Sequence, residues 1–151
     1  MAKGDFSITL SERDVARMRR ILADYETIDQ NRAIKKGLDK GSKILVEEGK
    51  KNLSQRNKKK TGNLYRSMGK KLGKGYSLAG FRRPGGNHAH LVDRGTKIRY
   101  TKSGAYRGSV SKGNPEHGSG FFTDAVESKS EEVKEVVMQG IEEALKDGGK
   151  K

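Results

Sequence analysis

The stretch from about Asp29 to Gln55 constrains this fold more than any other part of the chain. Ile34, Leu38, Gly41, Leu45 and Leu53 recur at the spacing of one helix face, and Ile44 and Val46 add bulk. Glycines stand at 37, 41 and 49, each costing a helix interior roughly 1 kcal/mol relative to alanine. The expected return is close approach by another backbone, and plain tolerance of glycine is the alternative.

A second stripe begins at about Thr123. Val126, Val133, Val136 or Val137, Ile141 and Leu145 form its apolar face, with Glu131, Glu132, Glu135, Glu142 and Glu143 on an acidic outer face. A shorter stripe, Val15, Met18, Ile21, Leu22 and Tyr25, opens at Ser11, a favoured N-cap, with Glu12 and Asp14 placed to suit the macrodipole. Before it, Phe6-Ser7-Ile8-Thr9-Leu10 alternates like a strand.

The middle of the chain reads differently. Thr61 can cap a short helical turn in which Leu64 and Met68 share a face. Gly69, Gly73 and Gly75 mark turns before a strand at Tyr76–Phe81, and Pro84-Gly85-Gly86-Asn87 marks a tight connection. A second strand is predicted from about His88 to Val92, making an antiparallel pair with the first. Residues 97–119 are polar, basic and glycine-dotted, as in a long flexible loop that is either functional or an assembly arm. Residues 147–151 should fray. The expected class is α+β: one domain over residues 1–151, with a small antiparallel sheet, a long helix, a C-terminal helix and a long basic loop.

Composition narrows the functional classes. Only 31% of residues are hydrophobic, 34% are charged and 20 are glycine, so a large self-sufficient core is not expected, and part of the chain should become ordered against neighbours. With no cysteine, disulfides and thiolate metal sites are excluded. The N-terminal residues lack an apolar signal core and no run reaches membrane-spanning length, so a protein made in a cytoplasm, without a membrane partner, is expected.

The net charge of +14 is unevenly spread. Residues 1–49 carry ten basic and nine acidic groups, whereas Lys50–Arg83 holds twelve basic groups and no acid. Residues 84–120 add six basic groups against Asp93 and Glu116, and residues from 121 onward carry five basic and eight acidic. A basic middle favours a polyanion partner. The candidate contacts are Lys58, Lys59, Lys60, Lys70, Lys71, Lys74, Arg82 and Arg83, then Lys97, Arg99, Lys102, Arg107 and Lys112, with Tyr100 and Tyr106 interleaved. Lysines on glycine-rich segments suit phosphate contact without base reading. The bland reading of the same residues is a solvated loop kept soluble by charge.

Catalysis would have to rest on His88, His90 and His117, with Asp93 or Glu116. His88 and His90 would share one face of the predicted strand, as a zinc site or an acid–base pair requires. No second acidic cluster accompanies them, and a solvated strand face explains them better. Gly69-Lys70-Lys71-Leu72-Gly73-Lys74-Gly75 lacks the strand before and the helix after that a phosphate-binding loop needs. No enzyme and no cofactor are expected.

The order of signals carries a resemblance. A long amphipathic helix is followed by Thr61-Gly62-x-Leu64-x-x-Ser67, then Ala89-x-x-Val92-Asp93-x-Gly95-Thr96, then Phe121-Phe122-x-x-Ala125 opening the last helix. This resembles the tail-completion, or head–tail joining, neck and minor tail family of long-tailed double-stranded DNA bacteriophages, over roughly Ile34 to Leu145. The chain departs from that pattern at Asp93, where the family usually has Glu, near His90, where it has an aromatic, and at Asp124, where it has proline. The loop between Thr96 and Phe121 is also longer and more basic.

The resemblance implies a virion subunit built into a ring at the portal–tail junction. Its partners would be copies of itself, adjoining neck and tail proteins, and the double-stranded DNA passing through. Gly95 would then turn the backbone, and Asp93 would either pair with an arginine, of its own or a neighbouring subunit, or stabilise the turn. The rival expectation is a free-standing, sequence-independent nucleic-acid-binding protein.

Overall fold

Ser11 opens the first helix, as its neighbours predict. In the computed structural model, which describes residues 8–25, 27–57, 62–96, 100–105 and 118–148, helix α1 spans Glu12–Leu22. The Asp14 amide donates to Ser11 Oγ, and the Asp14 carboxylate accepts from the Ser11 amide at 3.1 Å, a reciprocal box that satisfies two otherwise orphaned donors. The elements that follow are α2 (Thr27–Arg56), α3 (Asn63–Ser67), β1 (Met68–Leu72), β2 (Ser77–Phe81), α4 (Ala89–Arg94) and α5 (Thr123–Gly148). The class is α+β, with two long helices and one two-stranded antiparallel sheet.

The sheet is not the predicted pair. β2 matches the expected strand, but its partner is β1, and the segment expected as a second strand is helix α4. A five-residue apolar run cannot choose between periods of 2 and 3.6 by itself. The turns before it choose: Gly86 N donates to Arg82 O, Ala89 N to Gly86 O and Val92 N to His88 O, winding the backbone into a helix whose buried residues, Ala89 and Asp93, are four apart. β1 was masked by its composition, since Met-Gly-Lys-Lys-Leu has little strand propensity. Pairing overrides that propensity: Gly75, at φ 77°, makes the turn and Gly73 N donates to Tyr76 O at 2.9 Å. Met68 therefore starts a strand instead of continuing a helical face with Leu64. Ile8–Leu10 forms no strand, and Phe6 and Ser7 lie outside the described residues.

The chain divides into two units, the first drawn from Met1–Leu45, Lys70–Ala79 and Val126–Lys151, the second from Val46–Gly69 and Gly80–Ala125. In the first unit Ala33 of α2 and Val133, Val137, Ile141, Ala144 and Leu145 of α5 make the core. Met18, Ile21, Leu22 and Tyr25 pack against it from α1 and its C-terminal turn. The two long helices meet at glycine. A Cβ on Gly37 would stand 2.5 Å from the Val137 carbonyl oxygen and 2.8 Å from Ile141 Cγ1, and one on Gly140 would stand 2.9 Å from the Gly37 Cα. The glycine expected to admit another backbone does so at 37, whereas the space at 41 is taken by the Val137 and Val133 side chains.

Helix α1 is held to α5 by Arg17, whose guanidinium donates to Glu135 at 3.0 Å and to Glu142 at 3.3 Å. These bonds hold the Glu135 carboxyl below its ordinary range and push Arg17 up. Glu143 pairs with Lys40, Glu131 with Lys134 and Glu132 with Lys129. The acidic outer face expected from the sequence is therefore largely neutralised by bases of its own chain.

The second unit packs Val46 and Leu53 of α2 with Met68, Ala89, Phe121 and Ala125, all buried. Phe81 meets Phe121 and Phe122 edge-on, with ring centroids 5.8 and 5.4 Å apart, the arrangement favoured by aromatic quadrupoles. Gly49 makes room for Met68 and the Phe122 ring.

Candidate nucleic-acid interface

Residues 97–117 are the most basic excursion of the chain outside Lys50–Arg83, with Lys97, Arg99, Lys102, Arg107 and Lys112 against Glu116. The structure shows how its two ends are held, both within the second unit. Outgoing, α4 ends at Gly95, which at φ 81° takes a conformation open to glycine. Returning, Ser119 N donates to Val92 O at 2.9 Å and Gly120 N to Asp93 O at 2.8 Å. A Cβ on Gly118 would overlap the Asp93 carbonyl oxygen and the Gly95 amide nitrogen, so the two ends touch backbone to backbone.

Asp93 locks this base. Its side chain is buried with the residue only 7% exposed. Oδ1 accepts from the amides of Phe122 at 2.7 Å and Thr123 at 3.2 Å, and Oδ2 accepts from Thr123 Oγ1 at 2.6 Å. Those donors open α5, where orphaned amides and the helix dipole both favour a negative charge. Of the two expectations for Asp93, the contacts among the described residues of the chain are those of a local stabiliser and include no arginine. A buried carboxylate is satisfied here by two amides and a hydroxyl, and it joins the end of α4 to the start of α5.

Two further contacts secure the return. Buried Asn52 donates to Phe121 O at 3.0 Å, and Arg56 donates to Ser119 O at 2.9 Å and pairs with Asp124. Neither was singled out in the sequence, although a polar Asn52 beside Leu53 on the apolar face of α2 is a signal that could have found it.

The other motif residues gather in the same unit. Gly62, at φ 72°, precedes α3, and half-buried Leu64 offers its carbonyl to Ser67 Oγ at 2.8 Å. Ser67 is buried, and its own carbonyl accepts from Arg82 N at 2.8 Å. Phe121 and Ala125 are fully buried, Phe122 meets Phe81 edge-on, and Thr96 precedes the excursion. Thr61 lies outside the described residues.

The described cationic candidates fall in both units. Lys70 is occupied: its ammonium pairs with the Asp39 carboxylate and donates to the Asp39 carbonyl at 3.3 Å. Lys71 and Lys74 are exposed on the hairpin in the first unit. Arg82, Arg83 and Lys102 are exposed in the second. Tyr100 is 63% exposed, beside a small turn in which Thr101 N donates to Ala105 O. Lys58, Lys59, Lys60, Lys97, Arg99, Tyr106, Arg107, Lys112, Glu116 and His117 lie outside the described residues.

The histidine pair is rearranged. His88 precedes α4 and His90 lies in its first turn, both exposed, and residues two apart on a helix do not face each other. The shared strand face needed for a zinc or acid–base pair is absent. Among the described residues no helix is long and apolar enough to cross a membrane. Comparison of the chain with protein-family models, with curated proteins and with solved structures finds no match in any of the three.

Proposed function

We propose that this chain is a structural protein of the neck or tail of a long-tailed DNA phage, a ring subunit that completes or joins the tail around the DNA path. One observation carries the reading. Gly62, Leu64, Ser67, Ala89, Val92, Asp93, Gly95, Thr96, Phe121, Phe122 and Ala125, the described residues on which the resemblance rests, are spread over more than sixty positions yet belong to one unit. There they cap, turn and pack, and they build the base from which the basic excursion leaves. In this reading the excursion faces DNA or a neighbouring subunit, and no group acts as a catalyst.

The test is the composition of the particle. In virions purified from the genome that encodes the chain, mass spectrometry should detect it in a fixed number of copies. Deleting its gene should leave DNA-filled heads and separate tails in electron micrographs. The purified chain should also bind duplex DNA weakly, with little sequence preference. If about five phosphates are neutralised, log affinity should fall against log salt with a slope near −4 to −5. A chain that stays out of particles and binds DNA as a monomer would overturn the proposal in favour of a free-standing nucleic-acid-binding protein.

A further inference from the structure

The crossing at Gly37 and Gly140 leaves a groove. Where two helix backbones nearly touch, the residues on either side stand up as walls. The result in the first unit is an open cavity of about 450 Å3, with Leu72 and Gly140 among its lining residues. That is many times the roughly 30 Å3 share of one water, so a phosphate-sized group enters without rearrangement.

The walls are charged, and pairing decides which of the charges are left uncompensated. Arg32, Lys35, Lys36 and Lys40 of α2 face the groove together with Asp39, Glu143 and Asp147. Lys40 is taken by Glu143, and Asp39 is taken by Lys70. Among the described residues Arg32, Lys35 and Lys36 make no ion pair or hydrogen bond, and Asp147 is the one lining carboxylate left in the same state. Three free cations thus oppose one free acid. The sequence hides this because acids balance bases over residues 1–49 as a whole. Only the helix brings 32, 35 and 36 to one side and gives Asp39 to Lys70.

We infer that this groove is a binding site for the sugar–phosphate backbone of duplex DNA, an inference that rests on the DNA-path reading above. Arg32 and Lys36 are four residues apart, about 6 Å along the helix axis. A DNA strand presents one phosphate per roughly 3.4 Å of its own axis, so the row spans about two phosphates. Lysines on a helix face act as point charges without a fixed fork, which suits contact with phosphate and gives no base discrimination.

Two variants test the site in opposite directions, each measured by fluorescence anisotropy on a duplex over a salt series. The double substitution Lys35→Gln with Lys36→Gln keeps helix propensity and should lower affinity at least tenfold. Its salt slope should shrink by about 2, one for each phosphate contact. Asp147→Asn removes the opposing charge and should tighten binding severalfold, a gain that misfolding cannot mimic. An unchanged slope in the double variant, with binding lost instead in Arg82→Gln with Arg83→Gln, overturns the groove and leaves the DNA-path reading standing. No binding by the unsubstituted chain overturns both. Unchanged DNA binding with loss of self-association in the double variant also overturns the groove as a DNA site, and assigns it to contact between copies.

Discussion

Replacing Asp93 by alanine removes one side chain and orphans three donors. The Phe122 and Thr123 amides and Thr123 Oγ1 all turn to this carboxylate, at 2.7, 3.2 and 2.6 Å. Hydrogen bonds to a charged group contribute about 1.5–3 kcal/mol each. The three share one carboxylate and are not additive, and losing a helix cap alone costs up to about 2 kcal/mol. Burial adds to the cost, because the solvent replacing the carboxylate must enter a site where the residue is only 7% exposed. We expect a loss of about 3–4 kcal/mol for Asp93→Ala. For a chain of this size that is a fall of roughly 6–16 °C in Tm.

Asp93→Asn separates acceptor geometry from charge. Its amide oxygen can still serve both amides, and its NH2 can donate to Thr123 Oγ1, so a cost of about 1 kcal/mol is expected. Urea unfolding followed by circular dichroism measures both variants through the shift in Cm. Gly118→Ala should behave like Asp93→Ala, since its methyl would collide with backbone and force the two ends of the excursion apart. If Asp93→Ala costs less than about 1 kcal/mol, the carboxylate does not hold the base and the reasoning fails.

Two further outcomes follow from the first unit and from α2. Gly37→Ala should destabilise by about 1–3 kcal/mol despite its better helix propensity, because the methyl meets the Val137 backbone. Gly49→Ala meets the flexible end of Met68 and the edge of the Phe122 ring, and should stay within about 0.5 kcal/mol of the parent in urea unfolding; equal costs at the two positions would refute the helix-crossing argument. Glu135, Glu143 and Asp14 all titrate below their ordinary values, through bonds from Arg17, Lys40 and Ser11 respectively. A carboxylate depressed in the folded state stabilises above its unfolded pKa and loses that contribution as pH falls through the folded one. Stability should therefore hold from neutrality down to the ordinary carboxylate range and decline below it. Arg17→Gln should return the Glu135 titration, read by carboxyl NMR, toward 4.5.

Helices α1, α2 and α5 were legible because each had more than one signal. α1 had a stripe and the Ser11 cap, α5 had its valines and glutamates, and α2 had glycines that predicted the tight crossing. The sheet was only half legible. β2 carries a strand-like pattern, whereas β1 is a strand because β2 pairs with it, and pairing between segments leaves no mark on Met-Gly-Lys-Lys-Leu taken alone. His88–Val92 failed for a related reason, since the turns anchored at Arg82 and Pro84 set its backbone before its own pattern could. Asp93 was found as a residue, with an arginine and a local turn weighed equally as its role, but its donors were not foreseen. Its donors come from 29 and 30 positions away, and an amide carries no side-chain signature. The cations of α2 were invisible to a count of charges, because Asp39 cancels a lysine on paper while in space it belongs to Lys70.

Gly118 and Gly95 stand backbone to backbone, so the two ends of the segment between them are held at one fixed separation. Closing a loop costs a logarithm of its length, about 0.6 kcal/mol for each doubling. The clamp of Asp93, Gly95 and Gly118 therefore works as a socket for an interchangeable insert. Descendants of this chain can lengthen, shorten or recharge the insert to follow a changing neighbour, while selection on the socket keeps the rest of the unit in place.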